Sequence, residues 1–252
     1  MSKLTLFSPA KINLTLKVVG RRKDGYHDLE TLMQTIDLGD TLTFKLTKSD
    51  ALTCDDSSLA CDSSNFIWQA IRLFRVKTKL DFAVHIDLKK RIFIGRGLGG
   101  GSSNIATTLY GLNQLLGAEV PEEDLQKWSS ELSSDAPFFF SQGTAFCTSR
   151  GEVVQNRSPL PKRELYLINP QYGLSTKHVF EEFDRQNFSG SLEAAAFSIE
   201  PRLRELKNDL QKRFQTVFMT GSGSALICEN GQKEGLPIHF IQRENGWYPT
   251  IS

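Results

Sequence analysis

The chain has almost no net charge and few cysteines. Its 30 Lys and Arg against 29 Asp and Glu leave a formal charge of +1 over 252 residues. No global field therefore draws it to nucleic acid or to an anionic membrane surface. Cys54, Cys61, Cys147 and Cys228 form no Cys-x-x-Cys pair. Their spacing speaks against a zinc site or a disulfide framework and for isolated thiols in a reducing, cytoplasmic setting. His85, His178 and His239 show no metal-ligand spacing, so no protein-held metal is expected. No apolar run is long enough to span a bilayer, and the start Met-Ser-Lys-Leu-Thr-Leu-Phe lacks the pattern of a secretory leader. Internal repeats and low-complexity segments are missing too. What remains is a chain long enough to bury a large core, as one domain or as two packed lobes.

Glycine is not scarce. The run Ile94-Gly95-Arg96-Gly97-Leu98-Gly99-Gly100-Gly101-Ser102-Ser103-Asn104 follows an alternating, strand-like segment, Phe82 to Leu88. It precedes Ile105, Ala106, Leu109, Leu112, Leu115 and Leu116, which recur at helical spacing and stop at Gly117. A glycine-dense loop thus opens onto a helix N-terminus. Close backbone approach and unpaired N–H groups make that junction a phosphate cradle. Gly95, Gly97 and Gly100 satisfy G-x-G-x-x-G, but no second parallel strand ending in an acidic residue follows, so a dinucleotide fingerprint is disfavoured. No Gly-Lys-Ser/Thr closes the run, which excludes a Walker loop.

Two further segments stand out. Ser8-Pro9-Ala10-Lys11-Ile12-Asn13-Leu14, followed by Gly25-Tyr26-His27, lies near the start. Thr220-Gly221-Ser222-Gly223-Ser224 lies between the apolar runs Val217-Phe218 and Leu226-Ile227. The pattern predicts strands near residues 3–7, 12–19, 29–37, 41–47 and 81–88, then helix near 64–76. Two helices follow the glycine loop, strands cover 143–148 and 164–168, helices lie near 176–184 and 201–214, and strands flank the last glycine loop. Strands first and helices interspersed later argue for an α+β fold. Alternation puts Ala10, Ile12 and Leu14 on one face and Lys11 and Asn13 on the other, which is commonly solvated. Asp135, before Ala136-Pro137, reads as a helix cap; Asn65 reads as an N-cap, Lys90 as a surface charge and Phe180 as a core residue.

These three segments, in this order, resemble the motifs of the GHMP kinase superfamily, and Pro9 to Leu14 with Gly25 to His27 resembles the branch that acts on a cytidylated methylerythritol. The resemblance implies a two-lobed α+β fold, with an N-terminal ribosomal-protein-S5-like lobe over 1–155 and a C-terminal α/β sandwich lobe over 156–252. It implies ATP and Mg²⁺ as cofactors and phosphorylation of the 2-hydroxyl of 4-diphosphocytidyl-2-C-methyl-D-erythritol. Alternatives are a homoserine- or mevalonate-type kinase of the same superfamily, or a sensor that binds ATP without chemistry. Residue by residue, it makes Asp135 the base and Lys11 its cation. ATP would be held by Phe93, Ile94, Gly95, Arg96, Gly97, Leu98, Gly99, Gly100, Gly101, Ser102 and Ser103, with Asn65 and Lys90 near the adenine. Asn13, Tyr26, His27, Phe180, Gly221, Ser222 and Gly223 would bind the acceptor, Tyr26 and Phe180 enclosing the cytosine. Phe93 and Arg96 depart from the family pattern of a proline and a small residue; the cationic Arg96 is expected to face a phosphate or solvent.

Overall fold

The computed structural model describes residues 3–243. Two antiparallel strands of unusual length, β1 (Lys3–Arg21) and β2 (His27–Leu46), form its spine and pair along nearly their whole lengths. The pattern divided them into four pieces because Pro9 and an irregular alternation interrupt them. The structure instead keeps the pairing and absorbs the irregularities as register shifts at Pro9/Ala10, Asn13/Thr15 and Val18/Gly20. Such a shift is where a strand tolerates proline.

The first sheet is completed around β2. Residues 41–46 of β2 pair with β4 (Val84–Lys89), and residues 29–34 pair with β5 (Thr144–Ser149). A short β3 (Ala51–Cys54) adds to β4 in parallel, and β6 (Val153–Asn156) adds to β5. Helices α1 (Phe66–Thr78), α2 (Gly100–Leu116) and α3 (Glu122–Ser129) cover this sheet. Leu42, Phe44, Ile86, Ile71, Phe74, Leu109, Phe138 and Phe139 form its core, all fully buried.

A second, four-stranded sheet has the order β10-β7-β9-β8: β7 (Leu165–Ile168), β8 (Phe214–Met219), β9 (Leu226–Gly231) and β10 (Leu236–Ile238). Helices α4 (Thr176–Arg185), α5 (Glu193–Ile199) and α6 (Pro201–Leu210) accompany it. The last helix stops at Leu210 rather than near 214, because Phe214 is already the first residue of β8 and pairs with Gly231. β3, β6, α5 and β10, each seven residues or fewer, lie outside the sequence expectation; they are too short to show a period. After β10 the chain returns to the first sheet: Phe240 bridges Ile36, and Thr35 and Ile241 exchange hydrogen bonds. Among the described residues no helix is long and apolar enough to cross a membrane.

Candidate active site

The glycine loop lies between the two sheets and is held by both. Gly95, Gly97 and Gly99 all have positive φ, which side chains other than glycine rarely adopt. The loop closes on the second sheet through Leu174 N–H to the Gly95 carbonyl and Ala225 N–H to the Arg96 carbonyl. It closes on the first through Lys11 N–H to the Leu98 carbonyl at 3.0 Å. Gly99 then caps α2 without any side-chain hydrogen bond, so the first N–H groups of a 17-residue helix carry no capping side chain. That is the anion-binding end of a helix dipole.

Beneath the loop, Lys11 extends from β1. Its Nζ lies 2.6 Å from Asn13 Oδ1 and 3.2 Å from Asp135 Oδ2. The face of β1 carrying Lys11 and Asn13 is not solvated as alternation alone suggests; both residues are buried, at 3% exposure each. Asn13 is fixed on both sides: its Nδ2 donates to Thr31 Oγ1, and its backbone N–H to Thr220 Oγ1, each at 2.8 Å. Asp135 does occupy the cap position of the 3-10 turn Ala136–Phe140, but its side chain makes no cap hydrogen bond. The carboxylate turns to Lys11 instead.

A cavity of about 1020 Å³ is lined by this pair. The glycine loop from Phe93 to Ser102, Lys90, Asn65 and Phe66 line it, as do Tyr26, His27 and Phe180. Gly221 and Ser222 line it too, Gly221 next to the Gly97 carbonyl and Lys11. The structure thus brings nearly all the residues singled out from the sequence to one cavity. Ser103 and Gly223 are not among its lining. The Ser103 hydroxyl is buried against Ser8 Oγ at 2.7 Å, and Gly223 packs behind the loop against Met219 and Gly97. Ser102 points the other way, to Ser133 Oγ at 2.7 Å.

Several side chains differ from their sequence reading. Lys90 is no surface charge: its Nζ donates to both oxygens of the fully buried Asp40, at 2.9 and 3.0 Å, and to the Ile92 carbonyl. Asp40 also accepts the Arg91 and Ile92 N–H groups, so this ion pair anchors the chain entering the glycine loop. Arg96 lines the cavity, half-buried, and is tied to protein groups. Its Nε donates to Asn169 Oδ1 at 2.8 Å and its guanidinium to the Ile94 carbonyl, and burial lowers its pKa. Asn65 both caps α1, accepting from Ile67 N–H at 2.9 Å, and lines the cavity. Phe180 is half core: it packs beside Val18, Val179 and Phe183 while facing the cavity.

The sequence reading missed the partners of these groups. Asp184 holds His27 Nε2 at 2.7 Å, and Phe180 stacks on the His27 ring at 4.9 Å. The Arg150 guanidinium covers the Tyr26 ring at 4.8 Å. Helix α4 carries a visible signal for the first of these, since Phe180 and Asp184 fall at i and i+4.

A glycine loop opening on a helix N-terminus, with a lysine–aspartate pair lining the same cavity, is the arrangement of a kinase of the GHMP class. The family model described as "GHMP kinases N terminal domain" matches residues 65–143. The chain is 46% identical to a 4-diphosphocytidyl-2-C-methyl-D-erythritol kinase of Protochlamydia amoebophila, covering 100% of this chain and 95% of that protein. A crystal structure of 4-(cytidine 5'-diphospho)-2C-methyl-D-erythritol kinase superposes with a TM-score of 0.76 at 31% identity, covering 92% of this chain and 91% of that one. Homoserine kinase from Cytophaga hutchinsonii, at 17% identity and a TM-score of 0.70 over 92% of this chain and 86% of that one, shares the fold. The chain belongs to the 4-diphosphocytidyl-2-C-methyl-D-erythritol kinase family within the GHMP kinases, which use ATP.

Proposed function

We propose that this chain transfers the γ-phosphoryl group of ATP to the 2-hydroxyl of 4-diphosphocytidyl-2-C-methyl-D-erythritol, in the cytoplasmic non-mevalonate route to isoprenoid precursors. The observation that carries the reading is the Lys11–Asp135 pair, which lines one cavity with the glycine loop and with Tyr26, His27 and Phe180; we take these two groups as its two arms. ATP would lie in the arm lined by the glycine loop, its phosphates on the α2 N-terminus and its adenine toward Asn65 and Phe66. The acceptor would lie in the arm lined by Tyr26, His27 and Phe180.

Asp135 accepts the proton of the acceptor hydroxyl as its oxygen attacks the γ-phosphorus, and the bond to the β-phosphate oxygen breaks to release ADP. Lys11, almost fully buried and 3.2 Å from Asp135, adds positive charge where negative charge develops. Asn13 holds the Lys11 ammonium in place and is itself locked by Thr31 and Thr220. Because β1, β2 and the loop after β8 all meet at Asn13, the catalytic pair is supported from both sheets. We divide the chain into an ATP-binding lobe over 1–155 and a second lobe over 156–252, a boundary at the last residues of β6 and ahead of β7.

Among the described residues no group of three or more His, Cys, Asp or Glu could hold a metal ion by itself. The oxygens beside the cradle, Ser102 Oγ, Ser133 Oγ and Asp135, nonetheless suit Mg²⁺, which takes few protein ligands and arrives with nucleotide phosphates. When bound there it would neutralise charge on the phosphates.

Coupled ADP release, measured with the cytidylated acceptor, with homoserine and with mevalonate, tests the reading. Turnover with the cytidylated acceptor alone is expected; equal or greater turnover with either of the others would overturn it.

A further inference from the structure

We propose that Asp184 is the positioning residue behind a preference for cytosine over uracil, acting through the ring of His27. The inference rests on the reading of this cavity arm as the cytidine site. His27 opens β2 and is the cross-strand partner of Arg21, at the end of the long hairpin. Three residues of α4, from the other half of the molecule, fix its ring. Phe180 stacks on its face with the planes 23° apart, Phe183 meets it edge-on, and Asp184 Oδ1 lies 2.7 Å from Nε2. The second carboxylate oxygen of Asp184 faces Arg21 at 3.5 Å. His27 is 7% exposed and lines the cavity, and its Nδ1 is not among the buried side-chain atoms left without a partner.

The chemistry follows from that placement. A carboxylate only accepts, so it keeps a proton on Nε2, and a neutral imidazole then offers Nδ1 as an acceptor. An acceptor pairs with the exocyclic amino group of cytosine. Uracil carries a carbonyl at the same ring position, so two acceptors would face each other at a histidine that is itself only 7% exposed. Without Asp184 nothing distinguishes the two neutral tautomers of His27, and the ring can donate to uracil from Nδ1. Asp184 touches no base atom in this account.

The test compares kcat/KM for the cytidylated acceptor and its uridine-diphosphate analogue in the full chain. Wild type is expected to prefer cytidine by roughly 10- to 100-fold, the size of one buried hydrogen bond turned into a mismatch. Asp184→Ala should bring the ratio to that of His27→Ala, and the double variant should fall no further. Asp184→Asn, which keeps the shape but can donate to Nε2, should also lower the ratio, and it decides the matter if the alanine variant does not fold. KM for ATP should stay unchanged. A wild-type ratio preserved in Asp184→Asn, or additive losses in the double variant, would overturn the inference alone. A wild type that accepts both bases equally would overturn the cytidine-site reading with it.

Discussion

Asp135 stands at the cap position of a 3-10 turn yet gives its carboxylate to Lys11, 3.2 Å away, rather than to the turn. Backbone carbonyls serve the turn, Ser133 for Ala136 N–H and Asp135 for Phe138 N–H, which leaves the carboxylate to a cation at 3% exposure. Asp135 itself is 30% exposed and lines the cavity, whereas the Lys11 side chain is 3% exposed.

Asp135→Asn should therefore fold and bind ATP normally while turnover falls by roughly 10²–10⁴-fold, the range for a positioned general base. The turn loses no cap hydrogen bond, so the thermal midpoint should move little. Calorimetric ATP binding, a melting curve and the ADP-release rate check this together; near-normal turnover would return Asp135 to a purely structural place.

The glycines of the loop should not be equivalent. A Cβ on Gly97 would drive into the Thr220 carbonyl oxygen, and φ there is +74°. At Gly95, with φ +68°, the nearest atoms to a Cβ are 3.9 Å away. Gly95→Ala should thus cost only the backbone strain, about 1–2 kcal/mol. Gly97→Ala should cost more and should weaken ATP and acceptor together, because it pushes the 220–223 loop that borders both. Melting curves and the two KM values separate the variants.

How far the sequence reaches is visible at this same junction. The glycine run, Lys11 and Asn13 are legible because each violates a local expectation: too many glycines for a turn, and a cation and an amide in an apolar strand. Their meeting point is not legible, since Asn13 is locked by Thr31 and by Thr220, 207 residues away. Lys90 and Arg96 read as free cations for the same reason. Asp40 and Asn169, which hold them, lie 50 and 73 positions distant with no shared period. Periodicity reports which face a residue takes and says nothing about which remote partner fills that face.

Arg96 is bonded to Asn169 and to the Ile94 carbonyl, so its loss should act on the loop proposed to cradle ATP. Arg96→Met removes the bond to Asn169 and the one to the Ile94 carbonyl. KM for ATP should rise by about 3- to 10-fold, the effect of one hydrogen bond to a charged group on a partly exposed loop. Asn169→Ala should reproduce most of it. A much larger loss from Arg96→Met than from Asn169→Ala would mean that the guanidinium reaches a phosphate after all.

Cys147 should be silent toward thiol reagents in the native state. Burial, reinforced by the negative charge of Asp135, pushes its thiol up to about 12, and the side chain is fully buried in the first sheet. Thiolate is the reactive form, so both access and ionisation are denied. Native protein at pH 8 should leave Cys147 unlabelled by iodoacetamide, as mapped by peptide mass, and denaturant should release it. Prompt native labelling would show that β5 opens beneath the catalytic pair.

The two aromatic rings of the acceptor arm should fail differently when removed. Tyr26 is 52% exposed and is braced by Arg150 on one face; Phe180 is half-buried and lies against His27. Each ring can offer the cytosine a stacking surface, so Tyr26→Ala and Phe180→Ala should each cost about 1–3 kcal/mol of acceptor affinity. Only Phe180 also holds the His27 ring flat. Its loss should relax the cytidine-to-uridine preference, whereas Tyr26→Ala should weaken both nucleotides and leave the ratio intact. Arg150→Met, which removes the brace and not the ring, should cost less than Tyr26→Ala. ATP affinity should hold in all three, because ATP is proposed to sit on the glycine loop and not on these rings. Acceptor titrations with both nucleotides decide it. If Tyr26→Ala binds the cytidylated acceptor as tightly as wild type, the ring on the hairpin is a surface residue, and the base must be held from the α4 side alone.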